Sequence, residues 1–178
     1  MKDYLNSYCQ ELSSELFKLD AVEFEKAINV LIDVYKRDAQ VFIAGNGGSA
    51  GTSNHFVCDF SKNALPYDKR RFRIISVCDN VEKITAYGND FCFEDIFSFQ
   101  LGNLMRPGDA LIVISASGNS PDLVKACEYA KSIGGKICNG ADAVLKTDQR
   151  SYEVIEDLHS AIMHMIVCWF KANRDKLD

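Results

Sequence analysis

The sequence lacks any Cys-x-x-Cys pair, although it holds seven cysteines, at positions 9, 58, 78, 92, 127, 138 and 168. So odd and scattered a set excludes a zinc knuckle and a disulfide framework, and reads as small buried hydrophobes in a reducing compartment. No Lys/Arg run exceeds Lys69-Arg70-Arg71 and the net charge is −5, which excludes an electrostatic binder of nucleic acid or of a membrane surface. Long apolar runs are missing too. The first residues, MKDYLNSYCQELSSELF, carry charges throughout and have no signal-peptide core. The most apolar stretch near the C-terminus, AIMHMIVCWF, is too short to span a bilayer and contains His164. A cytoplasmic, soluble protein with neither nucleic acid nor membrane as partner is the expectation. There is no internal repeat, low-complexity segment or linker, so 178 residues at 47% hydrophobic content suit one domain.

What the chain does have is periodicity. Leu5, Leu12 and Leu16 give residues 4–17 a helical apolar stripe. Asp20 reads as an N-cap with Glu23 three residues on, ahead of Phe24, Ala27, Ile28, Leu31, Ile32 and Tyr35 at helical spacing. From there strands and helices alternate. QVFIAG (40–45) reads as a strand, 50–62 as a helix and RFRIISV as a strand centred on 72–77. A short helix starts near Asn80 and another spans about 93–105. DALIVIS (109–115), nearly all apolar, reads as a central strand. Ser120 caps a helix with Pro121 at its first position, ended by Gly134-Gly135. DAVLKTD (142–148) reads as a later strand and Tyr152 to Asn173 as a long final helix. Such alternation predicts an α/β sandwich of three layers, with a mostly parallel sheet covered on both faces. Between Gly135 and Asp142 only KICNGA remains. That is too little for a strand, a loop and a crossover helix, since parallel strands need a crossover of about a dozen residues or more. Either the chain takes a short cut here or a loop is missing.

Two loops at strand ends resemble anion seats. In VFIAGNGGSAGTSNHF (41–56) three glycines follow an apolar strand directly. Read as Gly45-x-Gly47-x-x-Ala50, they match a loose dinucleotide fingerprint, but the acid expected about 20 residues on is not there, Asp79 coming about 30 on. The lysine of a Walker loop is missing as well. SASGNSP (115–121) brings three serines and a glycine into the first turn of a helix, where hydroxyls, free N–H groups and the helix dipole suit a phosphate without lysine. Singly, either loop reads equally well as a turn with a capping serine. Together, at two strand ends, they read as a sugar-phosphate seat.

The three histidines all fall beside carboxylates. His55 and Asp59 are four apart and share a helix face. Glu156 and His164, eight apart, lie about 80° around the final helix and roughly 12 Å along it, with His159 between them on the other side of Glu156. Imidazole with carboxylate suits general acid–base work near neutral pH, or a divalent metal such as zinc. Each pair alone reads equally as a surface ion pair or a satisfied half-buried histidine. His164, flanked by Ile162, Met163, Met165, Ile166 and Val167, is expected to be buried and in need of a partner.

GNGGSA (45–50), TAYGND (85–90), RPGD (106–109), SASGNSP (115–121) and the His/acid final helix occur in this order. The whole chain, including its two leading helices, resembles the SIS (sugar isomerase) fold and, within it, the phosphoheptose isomerase family. The resemblance implies a single SIS domain over 1–178, with residues 1–38 as oligomerisation helices. It also implies conversion of sedoheptulose 7-phosphate to D-glycero-D-manno-heptose 7-phosphate, the first step towards bacterial surface heptose. Homotetramers with shared active sites and one zinc ion per site, without a nucleotide cofactor, come with it. Carried over, Ser49, Ser115, Ser117 and Ser120 seat the phosphate, with Asn46 and Gly47 near the sugar and Asp79 and Asn80 as substrate contacts from the second strand. His55, Asp59, Glu156 and His164 fall on positions of metal binding and proton transfer, with Asp59 as base and His164 as its acid partner. The family has Glu where Asp59 stands and Gln where Glu156 stands, which opens the choice of sugar and of base. The alternative is a non-catalytic SIS protein that binds a sugar phosphate or a protein partner of the replication-initiator type. Another isomerase or etherase of the fold is a smaller possibility.

Overall fold

Asp20 starts a helix as its chemistry dictates: its carboxylate accepts from the N–H of Val22 at 2.8 Å and of Glu23 at 3.3 Å. The computed structural model describes residues 1–138, 142–149 and 151–177. Residues 139–141, the end of the KICNGA run, lie outside them. The chain begins with α1 (Lys2–Phe17) and α2 (Ala21–Lys36), followed by β1 (Gln40–Gly45), α3 (Gly48–Asn63) and β2 (Arg73–Ser76). Then come α4 (Val81–Asp90), a 3-10 turn (Phe93–Asp95), α5 (Ser98–Leu104) and β3 (Ala110–Ile114). α6 (Pro121–Ser132), β4 (Lys136–Cys138), α7 (Tyr152–Ala172) and a 3-10 turn (Arg174–Leu177) complete the order. The helix expected over 93–105 is interrupted before α5, and the break aims Ile96 and Phe97 into the core.

The four strands are parallel in the order β2-β1-β3-β4. Strand periodicity sends Val41 and Ile43 to one face, against Ile28 and Leu31 of α2, Phe56 and Phe60 of α3, and Ile162 and Phe170 of α7. Phe42 and Ala44 point to the other face, against Leu101 of α5 and Ala126 and Ala130 of α6. This is the expected three-layer α/β architecture. The order reverses on either side of β1, so the carboxyl ends of β1 and β3 flank a topological switch point, where open α/β sheets bind ligands.

Three expectations change. α2 is no extra helix: its buried residues Ala27, Ile28, Leu31 and Val34 cover the sheet of their own chain. Of the two leading helices, only α1 has no buried residue. β4 forms within KICNGA, whereas residues 142–148 form no strand and meet it through a parallel bridge of Ala143 to Cys138 and through Asp142, whose N–H donates to the Ile137 carbonyl at 3.0 Å and whose carboxylate accepts from the Ile137 N–H at 2.8 Å. The reason lies in the polar groups of that segment. Glu23 of α2 accepts from the Val144 N–H at 2.7 Å, Glu15 of α1 from the Thr147 hydroxyl at 2.8 Å, and Glu11 from the Gln149 amide at 2.6 Å. Glu23 thus takes one backbone donor that a strand neighbour would otherwise hold, and Glu15 and Glu11 fix the segment by its side chains. The one basic run also turns to structural use, Arg71 donating to the carbonyls of Ser61, Lys62, Leu65 and Pro66 at the end of α3.

Candidate active site

The glycine loop is built by close approach. A Cβ on Gly45 would lie 2.9 Å from the Ser49 backbone, and Gly47 has φ +53°, so only glycine lets α3 leave β1 this tightly. Cys78, after β2, pins the turn: its Sγ accepts from the Gly45 N–H at 3.3 Å and donates to the Gly45 carbonyl at 3.2 Å. Burial pushes the Cys78 thiol up, which keeps it a donor. Asn46 donates through Nδ2 to the buried Asp122 carboxylate at 2.8 Å.

The serine loop faces it across the switch point. Ser115 and Ser117 Oγ are 3.4 Å apart, Ser117 and Ser120 Oγ 3.3 Å. The N–H of Gly118 donates to Ser115 Oγ at 3.0 Å. Ser120 is the N-cap residue of α6 but its side chain makes no cap hydrogen bond, so the three hydroxyls gather at the positive end of the helix rather than closing it. Asn46, Gly47, Ser49, Ser115, Ser117, Ser120 and Glu156 line one cavity of about 290 Å³, without a lysine or arginine. A hydroxyl-rich wall at a helix N-terminus suits a phosphate monoester.

The second group lies further along α3 and α7. His55 Nε2 is 3.1 Å from Asp59 Oδ2, His164 Nε2 is 3.5 Å from the same oxygen, and the two imidazole nitrogens are 3.3 Å apart. Tetrahedral zinc with N/O bonds near 2.1 Å holds its ligands about 3.4 Å apart, and a catalytic site uses three protein ligands with one position open. This donor set fits that description in both chemistry and spacing. His55, Asp59 and His164 also line a cavity of about 260 Å³ with Thr52, Ser160 and Met163.

Not every expected residue joins these groups. Glu156 stands outside the His/Asp set, packed against Gly48, where a Cβ would come within 2.5 Å of its carboxylate. It lies about 12 Å before His164 along α7, and its carboxylate turns to the glycine loop instead. Asp79 is exposed and the Asn80 side chain accepts from the Lys83 N–H as the cap of α4; neither lines the phosphate-sized cavity. His164 is exposed, not buried as expected, because the buried stripe of α7 runs through Leu158, Ile162 and Ile166. The more enclosed imidazole is the half-buried His159, whose buried Nδ1 has no partner among the described residues and whose pKa is held below 6.5 by desolvation. Asp122 and Cys78 were not foreseen. An acid in a helix first turn looks like a dipole partner, and a lone cysteine like a core residue; neither carries a signal in sequence that it braces a loop.

Comparison with known proteins follows from this geometry. Residues 3–138 match the family model of the SIS domain. The chain belongs to the SIS domain family. Among curated relatives of this family member, a probable phosphoheptose isomerase of Thermoplasma volcanium is 30% identical over 91% of this chain and 88% of its own. The phosphoheptose isomerase of Aneurinibacillus thermoaerophilus is also 30% identical, over 93% of this chain and 91% of its own. The fold matches that of the phosphoheptose isomerase from Neisseria gonorrhoeae with a TM-score of 0.83 at 21% identity, over 95% and 96% of the two chains. The phosphoheptose isomerase from Francisella tularensis gives 0.81 at 24%, over 97% and 96%.

Proposed function

We propose that this SIS protein is an aldose–ketose isomerase that converts sedoheptulose 7-phosphate to D-glycero-D-manno-heptose 7-phosphate. The observation that carries the reading is the convergence of His55, Asp59 and His164 on one point, beside a cationless, hydroxyl-lined cavity on the same helix. The relatives of like length and name support the choice of sugar. Ser49 and His55 are six positions apart on α3, about 9 Å along its axis. An extended sugar phosphate therefore has its phosphate at the serine loop and its C1–C2 end towards the imidazoles. Ser115, Ser117 and Ser120 bind the phosphate, and Asn46, held by Asp122, orients a sugar hydroxyl. Asp79 and Asn80 contribute contacts from the end of β2. Asp59 takes the proton from the carbon next to the carbonyl, and His164 returns a proton across the enediol. His55 and His164 through Nε2 and Asp59 through Oδ2 would hold a zinc ion, which leaves the second Asp59 oxygen and the His164 Nδ1 for the proton steps; the ion would supply polarisation of the sugar carbonyl when bound. Glu156, at the glycine loop, faces the sugar rather than the ion of its own chain. The working form is a cytoplasmic homotetramer with shared sites, a reading supported by the bare α1.

Proton NMR of sedoheptulose 7-phosphate with the purified, zinc-loaded protein tests this directly. New anomeric signals of the aldose are expected, with solvent deuterium entering C2 in D₂O. No turnover and no exchange would leave the non-catalytic reading.

A further inference from the structure

Glu156 has a fixed place but no partner. Its carboxylate lies over Gly48, in the first turn of α3, so close that a Cβ on that glycine would meet its two oxygens at 2.5 and 2.6 Å. The residue is half-buried, and it forms no hydrogen bond or ion pair among the described residues. Negative charge is favoured at a helix N-terminus, and Gly47, the N-cap residue of α3, brings no side chain of its own. α7 thus delivers a carboxylate to the glycine loop and leaves its oxygens open to the cavity that the serine loop lines.

The two walls belong to one small space. Gly45 and Ile114 are register partners on neighbouring strands, about 4.8 Å apart across the sheet. Gly48 lies three residues past the first and Ser117 three past the second. The cavity between the loops holds about 290 Å³, the volume of roughly ten waters at ~30 Å³ each. Charges across so small a space act on each other within the ~8 Å screening length of physiological salt. Among the described residues no lysine, arginine or histidine lines it, so nothing there offsets the carboxylate. An ionised carboxylate only accepts hydrogen bonds, and a phosphate dianion also offers acceptors alone. The two repel and cannot bond. A sugar hydroxyl, in contrast, can donate to Glu156 while its phosphate rests on the serines.

We propose that Glu156 determines the specificity of this site: its carboxylate accepts a hydrogen bond from a ligand hydroxyl and repels bare phosphate, so that phosphate monoesters of polyols bind in preference to inorganic phosphate. The proposal rests on the reading of the serine loop as a phosphate seat. Calorimetric titration of the full chain with inorganic phosphate and with sorbitol 6-phosphate, a polyol phosphate without a carbonyl to isomerise, separates the two. Glu156→Gln keeps the shape and removes the charge. In that variant inorganic phosphate should bind about tenfold tighter, and added salt should narrow the difference. Sorbitol 6-phosphate should not gain, because its hydroxyl loses a charged acceptor. The preference for the polyol phosphate should thus fall about tenfold, whereas Ser117→Ala should weaken both ligands in parallel. Phosphate affinity unmoved or lowered by Glu156→Gln, or a preference that the variant keeps, would overturn the role of Glu156 while leaving the seat intact. No binding of either ligand by either protein, or binding unmoved by Ser117→Ala, would overturn the seat and the role of Glu156 with it.

Discussion

At the scale of single residues, the proposed phosphate seat is a cluster of three hydroxyls, two of which accept a backbone N–H of their own loop, from Gly118 and Asn119. Ser120 forgoes its cap bond, and Ser117 lies within 3.4 Å of both other serines. Ser117→Ala should therefore raise KM far more than it lowers kcat, with a loss of about 1.5–3 kcal/mol in binding, as for one hydrogen bond to a charged group. Steady-state kinetics with the phosphorylated and dephosphorylated sugar check it: the free sugar should be a poor substrate for both proteins, and an unmoved KM contradicts the assignment. The His55, Asp59 and His164 set should bind close to one divalent ion per site, and Asp59→Asn, nearly the same in shape, should lose both the ion and the turnover. Metal analysis of the two proteins after dialysis decides this, since a pure acid–base cluster would leave the native protein metal-free and fully active. Residue types and spacing made the serines and the His55–Asp59 pair legible in the sequence. The pairing of His164 with that pair was not, because a stretch so apolar on both sides gives no hint which face of α7 meets α3. Periodicity exchanged the places of two histidines: His159 is the half-buried one, and His164 emerges beside Asp59. Asp122 stayed hidden for another reason. Its task, holding Asn46, exists only once the ends of β1 and β3 lie side by side.

Among the elements, local chemistry foretold those whose signals are local. Asp20, Asn80 and Ser120 stand at the helix starts read from them, and the apolar runs became the two central strands. The exception is DAVLKTD (142–148), which reads as a strand but forms none. Its conformation comes instead from Glu11, Glu15 and Glu23, more than a hundred positions away in sequence. This gives the segment a pH dependence of definite sign. The Lys26 ammonium first, and then the Val144 N–H, hold the Glu23 carboxyl below its ordinary 4.5; the Lys18 ammonium and the Thr147 hydroxyl do the same for Glu15. Carboxyls with depressed values in the folded state stabilise it above the unfolded value and cease to as pH falls through the folded one. Protection of the Val144 amide against hydrogen exchange, corrected for intrinsic rate, should thus be full at neutral pH and fall away on acidification below 4.5. Glu23→Ala should show the unprotected amide at neutral pH already. Equal protection in both proteins across the range would mean that the carboxylate does not hold the segment.

For the whole molecule, the outstanding question is what covers α1. Its leucines recur at helical spacing, yet it contributes no buried residue, and Tyr4, Leu5 and Phe17 are exposed. The helix is tied to the rest through polar contacts: the Tyr8 hydroxyl donates to Asp157 at 2.7 Å, and that carboxylate pushes the phenol up to about 12. An amphipathic helix fixed in place by its polar groups, with Tyr4, Leu5 and Phe17 left exposed, suits the proposed contact with a second copy of the chain, and closed twofold or D2 assemblies are the common outcome. The buried stripe of α2 packs on the sheet of its own chain, so the test of the proposed interface falls on α1. Leu12 and Leu16 are half-buried on that helix, so Leu12→Asp with Leu16→Asp leaves the internal core untouched. The variant should sediment as a smaller species with an unchanged circular dichroism spectrum. If sites are shared between subunits, isomerase activity should fall in step with the loss of assembly while His55, Asp59 and His164 remain in place. A smaller species with full activity would show that each chain carries a complete site, and an unchanged sedimentation coefficient would move the interface away from α1.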